Sequence, residues 1–291
     1  MNVYEIITDK ILAEIDKGII PWHKPWRTEL GGEQANLISK KSYRGINRFI
    51  LNCAPYDRPY WLTYNQAAAL GGTVRKGEKG TPIIFWKQGS YVKAGEEESG
   101  ERTTTFVLRY YTVFNVAQCD NLAAHLPALP ATIEAVTAHK RTEAERIALG
   151  FANGPRVAHV RGDRAYYTPA QDAVTMPERT QFANQDEYYS TLFHELTHST
   201  GHENRLNRQT LVDASYFGSC NYSKEELVAE MGAAFLCGAA GIENAAVLQN
   251  SASYLKGWSA KLKGDSRVIV LAAGQAQRAA DHILGTKWAE E

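Results

Sequence analysis

Cysteine is scarce in this sequence. Four occur in 291 residues, Cys53, Cys119, Cys220 and Cys237, and none stands in C-x-x-C spacing. This argues against a disulfide framework and against a cysteine zinc site, and it fits free thiols in a reducing cytoplasm. Long apolar runs are missing too. No stretch of 18 apolar residues exists, so no membrane span is expected. The opening MNVYEIITDKILAEIDKG is interrupted by acids and has no signal-peptide core. A nucleotide P-loop, G-x-x-x-x-G-K-[S/T], is absent. There is no internal repeat and no low-complexity segment. Net charge is also lacking, because Lys+Arg and Asp+Glu are both 32. A neutral total neither favours nor excludes a polyanionic partner, so the distribution decides.

The distribution is uneven. Residues 1–93 hold 14 basic against 8 acidic side chains, and residues 126–291 hold 16 against 19. Four of the six tryptophans, Trp22, Trp26, Trp61 and Trp86, fall in the basic front part. Basic residues there lie among aromatic and polar ones: Lys24, Trp26 and Arg27; Lys40, Lys41, Tyr43 and Arg44; Asn47 and Arg48; Arg75, Lys76 and Lys79; Trp86. Aromatic faces beside positive charge suit single-stranded nucleic acid, whose bases stack while its phosphates pair with cations. An aromatic sheet core with a solvated basic rim would have the same composition.

Periodicity outlines α+β architecture in two domains. A helix is expected over 3–15, where Val3, Ile6, Ile7, Ile11, Leu12 and Ile15 share a face, with Gly18 as its stop. Short helices follow at 45–54 and 64–70, the second capped by Thr63 and ended by Gly71-Gly72. Segments 73–93 and 102–114 are rich in β-formers and flank a polar turn, which predicts an antiparallel sheet. Pro127 and Pro130 break the pattern, so the domains are placed at 1–125 and 126–291. With 44 % apolar residues each half could bury its own core. The second half reads as a helix over 132–149, strands in RVAHVRG, RAYYTPA and DAVTMP, and helices near 186–201, 224–240, 247–263 and 266–285. Strands, then a helix bearing H-E-x-x-H, then more helices is the order of a zincin-like metallopeptidase fold.

That motif lies in TLFHELTHSTGHENRL. His194 and His198 are four apart, so on a helix both imidazoles reach one ion, while Glu195 beside them is placed as general base for an attacking water. A third protein ligand is needed. His202 lies eight residues from His194, about 12 Å along a continuous helix, and Asn204 stands where a metzincin would carry its last histidine. The stronger candidate is in YSKEELVAEMGAAFL. Glu230 is bracketed by small and apolar residues, where an unpaired carboxylate would be costly to bury, and Glu226 then serves a histidine N–H from outside the shell. Their roles can be exchanged on the sequence alone. Two histidines and a glutamate suit zinc, with manganese, cobalt or nickel also able to bind. Tyr188, Tyr189, Tyr222 and His202 are candidate oxyanion donors. The strands around VAHVRGDRAYY could offer an edge to an extended peptide.

The blocks IPWHKPW, KSYRGINRFIL and RPYWLTYNQAAALGGTVRKGEKGTPIIFWK, with YYSTLFHELTHSTGHENRLNR and EELVAEMGAAFL, resemble the ArdC-type antirestriction proteins of conjugative plasmids. The likeness covers nearly the whole chain. It implies an N-terminal domain that binds single-stranded DNA and a C-terminal zincin-like metallopeptidase domain. It implies a role in protecting incoming plasmid DNA from restriction. By the same resemblance His194 and His198 are metal ligands, Glu195 is the catalytic glutamate and Glu230 the third ligand. Expected partners are single-stranded DNA and a restriction-system protein or other DNA-bound protein, with no membrane. Two other readings stay open: a DNA-dependent metalloprotease that cleaves DNA-bound proteins, and a DNA-binding protein with a structural or vestigial metal site.

Overall fold

Asn2 starts the first helix, α1 (Val3–Ile15), in a reciprocal cap. Its side chain accepts from the Glu5 N–H while the Glu5 carboxylate accepts from the Asn2 N–H. The helix stops at Gly18, whose φ of 81° a residue with a side chain rarely adopts. Ile7, Ile11, Leu12 and Ile15 form the buried face. The computed structural model describes residues 2–22, 33–92, 102–127, 143–212, 220–242 and 252–286. The 132–142 part of the expected alanine-rich helix lies outside them.

The N-terminal elements are β1 (Ala35–Asn36), α2 (Ile46–Asn52), β2 (Tyr60–Leu62), α3 (Tyr64–Ala69), β3 (Thr73–Val74), β4 (Thr81–Val92), β5 (Arg102–Asn115) and β6 (Cys119–Asp120). The main sheet runs β1-β2-β5-β4, and β3 pairs with β6 separately. All pairings are antiparallel except the two-residue parallel β1–β2 contact. Thr63 caps α3 as its sequence predicts, in a capping box with Gln66. β4 is an edge strand, and its outer side is covered by α2. There the Asn47 amide donates to the Ile84 carbonyl (2.6 Å) and accepts from the Ile84 N–H (2.8 Å). One side chain thus imitates a neighbouring strand and closes part of an edge that would otherwise invite pairing with another chain.

The C-terminal elements are a helix over 143–150 (α4), strands β7 (Arg156–Val160), β8 (Tyr166–Thr168) and β9 (Ala173–Pro177), then α5 (Gln185–Ser199), α6 (Gln209–Val212), α7 (Cys220–Ala240), α8 (Ala252–Gly264) and α9 (Val268–Leu284). The small sheet has order β7-β9-β8, so β7 and β8 are both edges. Val157, Val160 and Tyr166 on them are exposed. Among the described residues no helix is long and apolar enough to cross a membrane.

The front half has two small hydrophobic clusters of its own, but the main core is shared between the halves. One cluster unites Ile7, Ile11, Trp22, Phe49 and Ile84 from the front with Phe193, Met231, Phe235, Trp258 and Ala276 from the back. Phe49 stacks on Phe235 with ring centroids 4.7 Å apart, and Trp22 meets Phe49 and Trp258 edge-on. α1 packs against α8 and α9, and Thr8 donates to the Ser266 carbonyl at 2.7 Å. Apolar faces on α1 and α2 need a partner, and α7 to α9 supply it. The main cluster therefore spans the expected boundary near residue 125. Because Phe49 is fully buried in this cluster, Phe49→Ala should cost about 3–5 kcal/mol. It should lower one shared unfolding transition by calorimetry, rather than the first of two.

Candidate metal centre and nucleic-acid face

α5 begins at Asn184, whose side chain accepts from the Glu187 N–H. It carries His194 and His198 one turn apart, with their Nε2 atoms 3.1 Å from each other. α7 crosses α5 closely, and Gly232 is the reason it can. A Cβ there would lie 2.4 Å from Thr197 Cγ2, on a residue that is itself fully buried. The crossing brings Glu226 to the histidines, with Oε2 3.5 Å from His194 Nε2 and Oε1 3.4 Å from His198 Nε2. His194, His198 and Glu226 form the group of possible metal ligands among the described residues. Ligand atoms about 2 Å from a tetrahedral ion lie about 3.3 Å from one another, so these separations already match a small divalent cation.

Glu230 is placed differently from its expected role. It lies one turn further along α7, 5 % exposed, and its Oε2 accepts from Trp22 Nε1 at 2.7 Å. The cost of burying it is met by hydrogen bonding, and Glu226 stands with the histidines instead. The acceptor behind His198 is neither of these two but Glu225, whose Oε1 lies 3.3 Å from His198 Nδ1. Glu225 also accepts from Arg208 and from the Thr210 hydroxyl, with all three groups wholly or partly buried. A proton held on Nδ1 by this carboxylate leaves Nε2 turned toward Glu226. Arg208 further donates to the Thr197 carbonyl, and Arg205 to that of Ser199, so two cations close the C-terminus of α5. Gly201 has room for hydrogen only, since a Cβ would meet Leu211 and the Arg208 guanidinium at about 3 Å.

Burial by itself lowers the pKa of His198, but the adjacent Glu225 and Glu226, with Glu195, outweigh it and push it up to about 10. Burial raises Glu226, and the two histidines more than reverse this, holding its carboxyl well below the usual range. The negative charge that favours an imidazolium here equally favours a divalent cation. Glu195 is buried next to this charge, on the same helix. His202 is outside the group. Its Nδ1 accepts from the Asn204 N–H, in a turn that Arg205 ties to Asp172 and Tyr167. Tyr188 and Tyr189 are buried, and the Tyr188 hydroxyl is bonded to His159. These three are therefore poorly placed as oxyanion donors.

In the front half many expected DNA-facing residues turn inward. Trp22 is fully buried. Arg44 pairs with Asp281 of α9. Asn47 serves β4, as described above. Arg48 is 6 % exposed, paired with Glu33 and lying over the Phe235 ring. Tyr43 packs against Leu51, Trp61 and Val113. Burial corrects Trp22 and Arg48 to packing positions, while Tyr43, Arg44 and Asn47 are half-buried and already engaged within the fold. Arg75 is exposed but bound to Glu78, Asp120 and the Ala117 carbonyl. Lys40, Lys41, Lys76 and Lys79 are exposed. Lys24, Trp26, Arg27 and the side chain of Trp86 lie outside the described residues.

Two family models match the chain. Residues 1–114 match the N-terminal domain of anti-restriction factor ArdC, and residues 143–275 match a zincin-like metallopeptidase domain. The fold is similar to crystal structures of the antirestriction protein ArdC from plasmid R388. The metal-free form is 34 % identical with a TM-score of 0.75, covering 98 % of both chains. The Mn(II)-bound form is 32 % identical with the same TM-score, over the full length of both. The chain belongs to the ArdC antirestriction family. An uncharacterised protein, y4eC of Sinorhizobium fredii, is 34 % identical over 96 % of this chain and 91 % of its own length. Two Escherichia coli proteins named DNA primase TraC are 36 % and 35 % identical over 97 % of this chain. The chain spans only 20 % and 27 % of their length.

In this ArdC-family chain Glu225 and Arg208 had no sequence signal that singled them out. Glutamates on one helix look alike until its rotation and its position along the partner helix are known. Replacing Glu226 by Gln should abolish tight binding of Mn(II) or Zn(II) in calorimetric titration. Glu230→Gln should leave metal affinity in place while lowering thermal stability. Gly232→Ala should cost about 1–3 kcal/mol through overpacking, and it should weaken metal binding by spreading α5 from α7.

Proposed function

We propose that this ArdC-family protein binds single-stranded DNA through its N-terminal domain and carries a metal-dependent peptidase site that protects incoming conjugative plasmid DNA from restriction in the cytoplasm. The observation that carries the reading is the donor set His194, His198 and Glu226, spaced for one tetrahedral ion with Glu195 beside it. The Mn(II)-bound relative supports a divalent metal, and two imidazoles with one carboxylate suit zinc. Such an ion supplies Lewis-acid polarisation of a carbonyl and lowers the pKa of water. The chain's own residues do the rest. Glu195 accepts the proton of the attacking water on its carboxylate and returns it to the leaving amine. Glu225 and Arg208 hold His198 in orientation. The open edges of β7 and β8 offer backbone groups to an extended peptide. The substrate on this reading is a restriction component or another protein met on the DNA.

Glu195→Gln separates this reading from its rivals. Metal binding and DNA binding should persist, while peptide cleavage and protection in a conjugation assay should fall, cleavage by about 10²–10⁴-fold. If protection survives in the variant, the metal site is structural and the peptidase reading fails. If the wild type cleaves only proteins already bound to DNA, protection becomes a consequence of a DNA-dependent protease. Affinity for single strands should also fall steeply as salt rises.

A further inference from the structure

Trp22 and Trp61, the described tryptophan side chains of the front half, are fully buried, and the aromatic groups that the fold shows to solvent there lie elsewhere. On the β4–β5 hairpin Phe85 and Tyr111 stack with ring centroids 4.3 Å apart and planes 17° apart. Tyr111 is 53 % exposed. The strand register sets Phe85 opposite Arg109, two residues before Tyr111, so all three belong to one face of the hairpin. Arg109 is exposed and takes part in no ion pair among the described residues. Ile83 lies opposite Tyr111 and packs onto the cluster of Leu51, Trp61 and Val113, beside Tyr43 and Tyr56. The ring pair therefore adjoins a packed cluster along the hairpin, with Tyr111 open to solvent.

A half-buried ring stacked on an exposed one, beside an exposed cation that has no ion-pair partner among the described residues, fits a ligand that has a flat π-face and carries negative charge next to it. A nucleotide of a single strand has both. A duplex does not offer its base faces. We propose that Phe85, Tyr111 and Arg109 form a base-stacking platform for single-stranded DNA, with the rings taking base faces and the guanidinium a phosphate. This rests on the single-strand-binding reading above and gives it a location that Trp22, buried under α7 and α8, cannot supply.

The test uses the full chain and fluorescence anisotropy with labelled oligothymidylate and a length-matched abasic phosphodiester strand. Wild type should prefer the base-bearing strand. Tyr111→Leu and Phe85→Leu should each weaken its binding roughly tenfold, remove the preference over the abasic strand and leave the salt dependence unchanged. Tyr111→Phe should behave as wild type. Arg109→Gln should weaken both strands and reduce the slope of log affinity against log salt by about 0.7. Circular dichroism and unfolding midpoints confirm that the variants fold, and the half-exposed position of Tyr111 tolerates leucine. If wild type prefers bases and both leucine variants still do, the platform is wrong while single-strand binding stands. Equal wild-type binding to both strands would also overturn the platform, since phosphates alone would then carry the affinity. If wild type binds neither strand, the single-strand reading itself falls and the platform with it.

Discussion

Helices α5 and α7 approach until the backbone at Gly232 lies against the side chain of Thr197, and the metal centre depends on that closeness. Two histidines on one helix are only half of a shell. The crossing adds a carboxylate at 3.4 and 3.5 Å from their Nε2 atoms and a second one behind His198. It also concentrates charge where water is scarce. Glu225 is nearly inaccessible, and it is tolerated because Arg208, Thr210 and His198 together satisfy it. Removing one member of such a set costs more than the set contributes, because the others stay buried and unpaired.

The same helix α7 also joins the two family domains. Its far side takes the Phe49 ring on Phe235, and its next turn takes the Trp22 indole on Glu230. Family matches divide the chain at about the place where prolines interrupt its pattern, yet the hydrophobic cluster ignores that division. The two hydrophobic clusters that belong to the front half alone are small, so it buries limited apolar area by itself. Docking α1 and α2 onto α7 to α9 supplies the remainder. The longer primase relatives match nearly the whole of this chain, as a unit with one continuous core would lead one to expect.

Composition was a poor guide to which residues stand at the surface. Basic and aromatic residues are abundant in the front half, but tertiary contacts enlist several for other work. Arg44 holds α9, Arg48 covers Phe235, Asn47 closes the β4 edge and Trp22 fills the core. Long cationic side chains have apolar stems that pack well, and a tryptophan has more apolar area to bury than any other residue. Frequency in the sequence therefore cannot tell which are left to meet a ligand.

Sequence alone determined the local matters, because they depend on spacing within a few residues. The Gly18 stop after α1, the Thr63 cap of α3, the long β4–β5 hairpin, the helix carrying His194, Glu195 and His198, and the ArdC likeness were all legible there. It left two glutamates, 226 and 230, with exchangeable roles and gave Glu225 none. The outcome turned on how α7 is set against α5 by packing at Gly232: Glu225 and Glu226 differ by about 100° around the axis, whereas Glu226 and Glu230 share a face and differ by about 6 Å along it. Only the tertiary structure decided that Glu226 faces the histidines, that Glu225 backs His198 with Arg208, and that Glu230 meets Trp22. Each of these contacts joins residues 17 to 208 apart in sequence, and no periodic pattern spans such a distance.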